Sequence, residues 1–256
     1  MNIILFSQDE INYPLSIHDK RSKHIIEILK FKEGDTFFAG VINNGTGKAK
    51  IDKIDNNHLY FTFQYDGKKI EKNPVSLLTA INRPIDAKKI LKNCTTIGVK
   101  AIYFSIFDKS EKSYLESNLW KNKNYKEYLI EGASQSSSCD IPDVFLFHDL
   151  DECLRNLPEN SLRLALDNYE SDKPLSSLEY PEDISMKINS GNIKRCENNA
   201  PEIILAVGGE RGFSNRERTL LINYDFTLYG LGKRVLKTET AAVAGLSVIL
   251  SKIGRM

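Results

Sequence analysis

The chain has 256 residues, 41% hydrophobic and 27% charged, which is apolar material for one large domain or two ordinary ones under a charged surface. Thirty-five lysines and arginines stand against 34 acidic residues, a formal charge of +1, so global charge does not advertise a nucleic-acid partner and any basic footprint must be local. The four cysteines are far apart with no C-x-x-C pair, which argues against a zinc cluster or a disulfide framework.

From the N-terminus, "MNIILFSQDE" lacks the basic start of a signal peptide, and no apolar run reaches the length of a membrane span. A cytoplasmic protein with no membrane and no metal partner is expected. Residues 1–72 read as β-rich: "GDTFFAGVI" and "LYFTFQY" are aromatic and β-branched, and "KAKIDKI" alternates polar with apolar. "NNGTG" at 43–47 offers the Asn and Gly of a hairpin turn, and "SKHIIEILKF" is a helix-like interruption. A small barrel with one helix would bury these strands. The turn-prone "DGKKIEKNP" at 66–74 marks a boundary, leaving a second domain at 73–256. There, apolar runs at 75–81, 101–106, 162–166, 203–207 and 226–231 alternate with helical patterns near 84–97, 118–137, 214–223 and 239–253. This rhythm predicts an α/β domain with a mostly parallel sheet. Trp120, Tyr125 and Tyr128 sit at helical spacing and are expected to pack, and the polar 170–201 reads as a surface excursion.

Two late stretches carry the chemistry. In "IILAVGGERGFSNRERTLL" (203–221) a strand runs into glycines, and Ser214 with Glu217 three residues on forms a capping box at a helix start. A strand, a Gly loop and a helix at the carboxyl end of a parallel sheet is where α/β proteins bind ligands, although a tight turn before a capped helix fits equally well. Neither a phosphate loop nor a dinucleotide fingerprint is present. In "LGKRVLKTETAAVAGLSVIL" (231–250), Lys233, Arg234 and Lys237 crowd the entrance of an apolar helix that Thr238 or Thr240 is placed to cap. Cations there oppose the helix dipole, and an anion or nucleic-acid phosphate would offset the repulsion.

The pair "VGGERGFSNRE" and "LGKRVLKTETAAV" resembles the RsmE-type 16S rRNA uridine-N3 methyltransferases of the SPOUT superfamily, whose members carry I-G-P-E-G-G-F-S and L-G-x-R-I-L-R-T-E-T-A. The matching positions are Gly208, Glu210, Gly212, Phe213 and Ser214, then Leu231, Gly232, Arg234, Leu236, Thr238, Glu239, Thr240 and Ala241. "HIIEILKFKEGD" and "EGASQSSSCDIPDV" are similar to further family stretches.

The resemblance implies a C-terminal SPOUT trefoil-knot domain with a mostly parallel sheet behind a small N-terminal PUA-like β-barrel that binds RNA. It also implies a homodimer through the knot domain, S-adenosyl-L-methionine as cofactor, and 16S rRNA or the small ribosomal subunit as partner. The reaction would be methyl transfer to N3 of a uridine. Cofactor loops are expected at 205–214 and 228–241, with "LALDNYE" at 164–170 as the third. They would supply Leu166, Val207, Gly208, Gly209, Glu210, Gly212, Tyr229, Gly230, Leu231, Gly232, Val235, Leu236, Thr238, Thr240 and Ala241. Arg234 is the catalytic candidate for stabilising a uridine anion or a phosphate. Glu239 is a candidate base, or else an ion-pair partner that orients Arg234. His24, Lys30, Arg83, Lys109, Arg211 and Lys237 are the RNA-binding candidates.

Some positions depart from the family pattern. Gly209 and Arg211 replace its Pro and second Gly; if that glycine needs a positive φ, Arg211 would be strained or would narrow the pocket. Lys30, Lys109 and Lys237 replace arginines, which keeps the charge and loses the bidentate fork. Thr96, Ser134 and Ser138 stand where charged residues are usual, on the side expected to face substrate. Two alternatives stay open: a knotted methyltransferase for another RNA site, and a non-catalytic RNA-binding or ribosome-assembly protein with this fold.

Overall fold

In a computed structural model describing residues 2–67, 72–171, 173–179 and 201–256, contacts divide the chain into two compact units. The first is Met1–Glu71 with Leu129–Ile141, and the second is Lys72–Tyr128 with Pro142–Met256. The excursion and Cys196 fall largely or wholly at 180–200, outside the described residues.

The first unit is built on strands β1 (Ile4–Phe6), β2 (Leu15–Ser16), β3 (Thr36–Val41), β4 (Gly45–Ile54) and β5 (His58–Tyr65). They form one mixed sheet in the order β1-β3-β4-β5-β2, with β1 parallel to β3 and the other pairs antiparallel. Phe6, Ile25, Phe37, Ile51 and Leu59 are the core of this unit. The hairpin turn lies one step earlier than "NNGTG" suggests. Asn43 takes the left-handed conformation (φ 57°), while Gly45 and Gly47 already belong to β4. Gly47 is there for closeness: a Cβ would lie 2.1 Å from the Gln64 carbonyl oxygen. Helix α1 (Lys20–Lys23) runs on into a π-helical turn, His24–Ile28. Arg21 binds Glu10 and Asp19, and its hydrogen bonds pull the Glu10 carboxyl down to about 2. Within this unit Ile3 and Leu5 pack with Ala133 and Cys139.

The second unit is a parallel sheet flanked by helices. Its strands are β6 (Val75–Ala80), β7 (Ala101–Ser105), β8 (Asp143–Phe147), β9 (Ser161–Leu166), β10 (Lys173–Pro174), β11 (Glu202–Val207) and β12 (Thr227–Gly230). The order is β10-β12-β9-β11-β6-β7-β8 and every pairing is parallel. β6, β7 and β11 are buried along their whole length, which is why they read as unbroken apolar runs. The helices are α2 (Pro84–Ile97), α3 (Asn118–Lys121), the first turn of α4 (Tyr125–Gln135), whose residues from Leu129 on are counted in the first unit, α5 (Leu150–Arg155), α6 (Asn215–Asn223) and α7 (Thr238–Lys252). Pro84 opens α2 at a position needing no backbone donor, and Gly98 closes it with φ 81°.

Three expectations need correction. The helical pattern at 118–137 is two helices, α3 and α4, with Lys123 in the left-handed region between them (φ 55°). Trp120 is buried against Phe104 and Tyr125 at centroid distances of 4.8 and 5.8 Å. Strand β8 and helix α5 were not anticipated. Neither Thr238 nor Thr240 caps α7: Lys237 occupies the cap position with no side-chain bond, and Thr238 is the buried first helical residue. Cys94 and Cys153 are free thiols, and both they and Cys139 are buried. Among the described residues no helix is long and apolar enough to cross a membrane, and no cluster of His, Cys, Asp or Glu could hold a metal ion.

Helix α7 packs on α2, β6 and β11. Gly245 allows the approach, since a Cβ there would lie 2.8 Å from the terminal methyls of Leu166 and Leu205. Gly245→Val is expected to destabilise the protein by about 1–3 kcal/mol through overpacking. Urea unfolding measures it.

Candidate functional site

Five parallel strands of the second unit deliver loops at their carboxyl ends, the usual place for ligands in such sheets. The loop after β11 is the most constrained. Its turn closes through Gly212 N–H donating to the Gly209 carbonyl (3.0 Å), with Gly212 at φ 64°. A Cβ on Gly208 would lie 3.0–3.1 Å from the backbone of Gly212 and Phe213. Phe213 is buried against Phe107, with centroids 5.6 Å apart. The left-handed position is thus Gly212, and Arg211, which is absent from the positive-φ residues, carries no such strain.

The expected capping box is present. Ser214 Oγ accepts from Glu217 N (3.1 Å), and Glu217 Oε2 accepts from Ser214 N (2.6 Å). The fully buried Glu217 also accepts, through Oε1, from Asp108 N (2.7 Å) in the loop after β7. Lys109 Nζ donates to the carbonyls of Arg211 (3.1 Å) and Phe213 (2.9 Å). Asp108 accepts from Ser214 Oγ and Arg216, and the Arg216 hydrogen bonds hold its carboxyl below the usual range.

Two clefts share residues 209–212 as a common wall. One lies among the loops after β9, β11 and β12. It brings together Leu166, Val207, Gly208, Gly209, Glu210, Gly212, Leu231, Val235, Leu236, Thr238 and Ala241. Of the expected cofactor residues, Tyr229, Gly230, Gly232 and Thr240 do not line it. Asp167, Asn168, Tyr169 and Phe213 line it as well; they fall within the expected loops 164–170 and 205–214 but were not among the individual cofactor residues. The other cleft lies among the loops after β6, β7 and β11 and includes Asn82, Arg83, Lys109, Tyr114 and Arg211. Arg83 is tethered there to Tyr114 Oη (3.2 Å) and Glu210 Oε2 (3.4 Å).

The remaining candidates lie outside both linings. Arg234 and Lys237 are exposed on the approach to α7. Glu239 pairs with Lys89 of α2 (3.2 Å) instead of Arg234, and Lys89 also holds Asp86 (2.8 Å). His24 is half-buried in the first unit, where Lys30 is exposed with φ 58°. Thr96, Ser134 and Ser138 line neither cleft.

A family model for the RNA methyltransferase domain matches residues 69–250, which span both clefts. The chain belongs to the RNA methyltransferase family. This methyltransferase is 30% identical, over the full length of both chains, to ribosomal RNA small subunit methyltransferase E 1 of Borreliella burgdorferi. It is 29% identical to ribosomal RNA small subunit methyltransferase E of Treponema pallidum, over 98% of this chain and 91% of that one. Its fold matches the crystal structure of a ribosomal RNA small subunit methyltransferase E from Neisseria gonorrhoeae bound to S-adenosyl methionine, with a TM-score of 0.75 at 18% identity and 97% coverage of each chain.

In the methyltransferase, removing the Glu217 carboxylate takes the acceptor from two part-buried backbone donors, Ser214 N and Asp108 N. Glu217→Ala is expected to cost about 1–3 kcal/mol or more in urea unfolding, and Glu217→Gln less, because its carbonyl still accepts. Asp108 has a depressed folded value, so it stabilises above its ordinary pKa of 3.8 and the contribution is lost as pH falls through the depressed value. Asp108→Asn should therefore lower stability at neutral pH and flatten its fall below about pH 4, as read by thermal melts across pH.

Proposed function

We propose that the chain transfers a methyl group from S-adenosyl-L-methionine to N3 of a uridine in 16S rRNA. The observation that carries this reading is the cleft formed where the loops after β9, β11 and β12 converge, in a chain of the RNA methyltransferase family. The residues fit the cofactor. Leu166, Val207, Leu231, Leu236 and Ala241 offer apolar walls to an adenosine, the Gly208–Gly212 backbone allows close approach, and the Glu210 carboxylate suits a cationic end. When bound, the cofactor supplies an electrophilic methyl group.

The chain's own part is positioning and charge. The second cleft shares the 209–212 wall, so a nucleotide held there by Arg83, Lys109 and Arg211 would lie next to the methyl donor. Uridine N3 reacts after losing its proton, and Arg234 makes the anion less costly or holds the adjacent phosphate. Glu239, engaged by Lys89, positions the start of α7. We read the second unit as the SPOUT trefoil-knot domain working as a homodimer, and the first as a PUA-like β-barrel in which His24 and Lys30 face RNA. The full-length fold likeness supports the fold given to each unit. Work on ribosomal subunits would place the protein in the cytoplasm.

The test uses small subunits from cells lacking the protein, incubated with it and S-adenosylmethionine, followed by mass spectrometry of rRNA nucleosides. New N3-methyluridine is expected; methyl on another nucleoside, or none, contradicts the proposal. Arg234→Ala should slow transfer about 100-fold with cofactor affinity nearly unchanged.

A further inference from the structure

Beside the cofactor cleft lies a buried ion pair for which the reading above has no use. Arg218 of α6 donates from Nε to Asp167 Oδ2 at 2.8 Å, and the two side chains are only 7% and 2% exposed. Asp167 follows β9 and is fixed on both sides. Its own N–H donates to the Tyr229 carbonyl (3.0 Å), and its Oδ1 accepts from Tyr169 N (2.7 Å) and Glu170 N (2.8 Å). Arg218 also bonds Asn215 Oδ1 (3.0 Å), and its guanidinium lies over the Tyr169 ring, 5.4 Å from the centroid. Burying such a pair is poor value as stability alone, because desolvation offsets much of the attraction. What it does is fix the loop that begins at Asp167.

That loop presents Tyr169, 78% exposed, to the cleft. Val235, also 78% exposed, lines the same cleft from the loop after β12. Two large apolar side chains left to water on one cleft call for a cover. One face of the tyrosine is engaged by Arg218, which leaves the other for a flat ligand. Resting on the cofactor reading, we propose that Tyr169 is the stacking platform for the adenine of S-adenosylmethionine, and that Arg218 and Asp167 are the positioning pair that holds this platform in place. Arg218 acts only through the loop, and Tyr169 touches the ligand.

The test is calorimetric titration of the full-length protein with S-adenosylhomocysteine, which binds without turnover. Stacking of a base on an aromatic ring corresponds to roughly a 5- to 150-fold change on alanine substitution. Tyr169→Ala should weaken binding at least about fivefold by that measure, and Tyr169→Phe should stay within about twofold. Arg218→Ala should weaken binding similarly, and Arg218→Lys less. In the Tyr169→Ala background, Arg218→Ala should add little further loss, which a merely structural role for Arg218 would not produce. Because Tyr169 is exposed, its variants carry the test even if Arg218→Ala fails to fold. Wild-type protein that does not bind at all overturns the cofactor reading and this inference with it. Wild-type binding with unchanged affinity in Tyr169→Ala overturns the inference alone. A weakened dimer with unchanged affinity in sedimentation does the same, and makes the ring a contact with a second copy.

Discussion

A single buried carboxylate, Glu217, decides where both clefts are. It is fully enclosed, and it accepts from Ser214 N in the loop after β11 and from Asp108 N in the loop after β7. Its position in the first turn of α6 sets it at the positive end of the helix, where an acidic side chain complements the dipole. Lys109 repeats the tie from the other direction through two carbonyls of the glycine loop. The wall shared by the two clefts is therefore clamped from the neighbouring strand. Groups meant to react across that wall would meet in a fixed geometry, and methyl transfer by displacement depends on such geometry.

Charge is distributed by the same logic. Within the described residues, Arg218 and Glu239 are satisfied by Asp167 and Lys89, and both pairs fix elements: the loop after β9 and the start of α7. Lys233, Arg234 and Lys237 form no ion pair among those residues, although they crowd the positive end of α7. Unneutralised cations at a helix N-terminus repel the dipole, and a polyanion offsets that cost. An overall charge of +1 hides this patch, which shows in the sequence only as a local cluster before an apolar helix.

The parts legible in the sequence are those set by local pattern. β6, β7 and β11 are buried on both faces and read as apolar runs, and Ser214 with Glu217 announces a helix start by spacing alone. β8 is an edge strand with Phe145 and Leu146 part-exposed, and α5 has six residues, too few for a periodic signal. The break at Lys123 depends on one left-handed residue in a run that otherwise looks helical. The glycine loop was legible as a loop, but which residue takes the positive φ was not, and so the strain expected at Arg211 belongs to Gly212 and is no strain at all. Least visible were Asp167 with Arg218, 51 residues apart, and Lys89 with Glu239, 150 apart, because pairing over such distances leaves no local trace.

We propose that the loops after β9, β11 and β12 close on one cofactor. Hydrogen–deuterium exchange of the whole protein, with and without saturating S-adenosylhomocysteine, tests it most directly. Slowed exchange confined chiefly to residues 166–170, 207–214 and 231–241 is the predicted result. Protection absent from these three loops, or confined to the first unit, would contradict it.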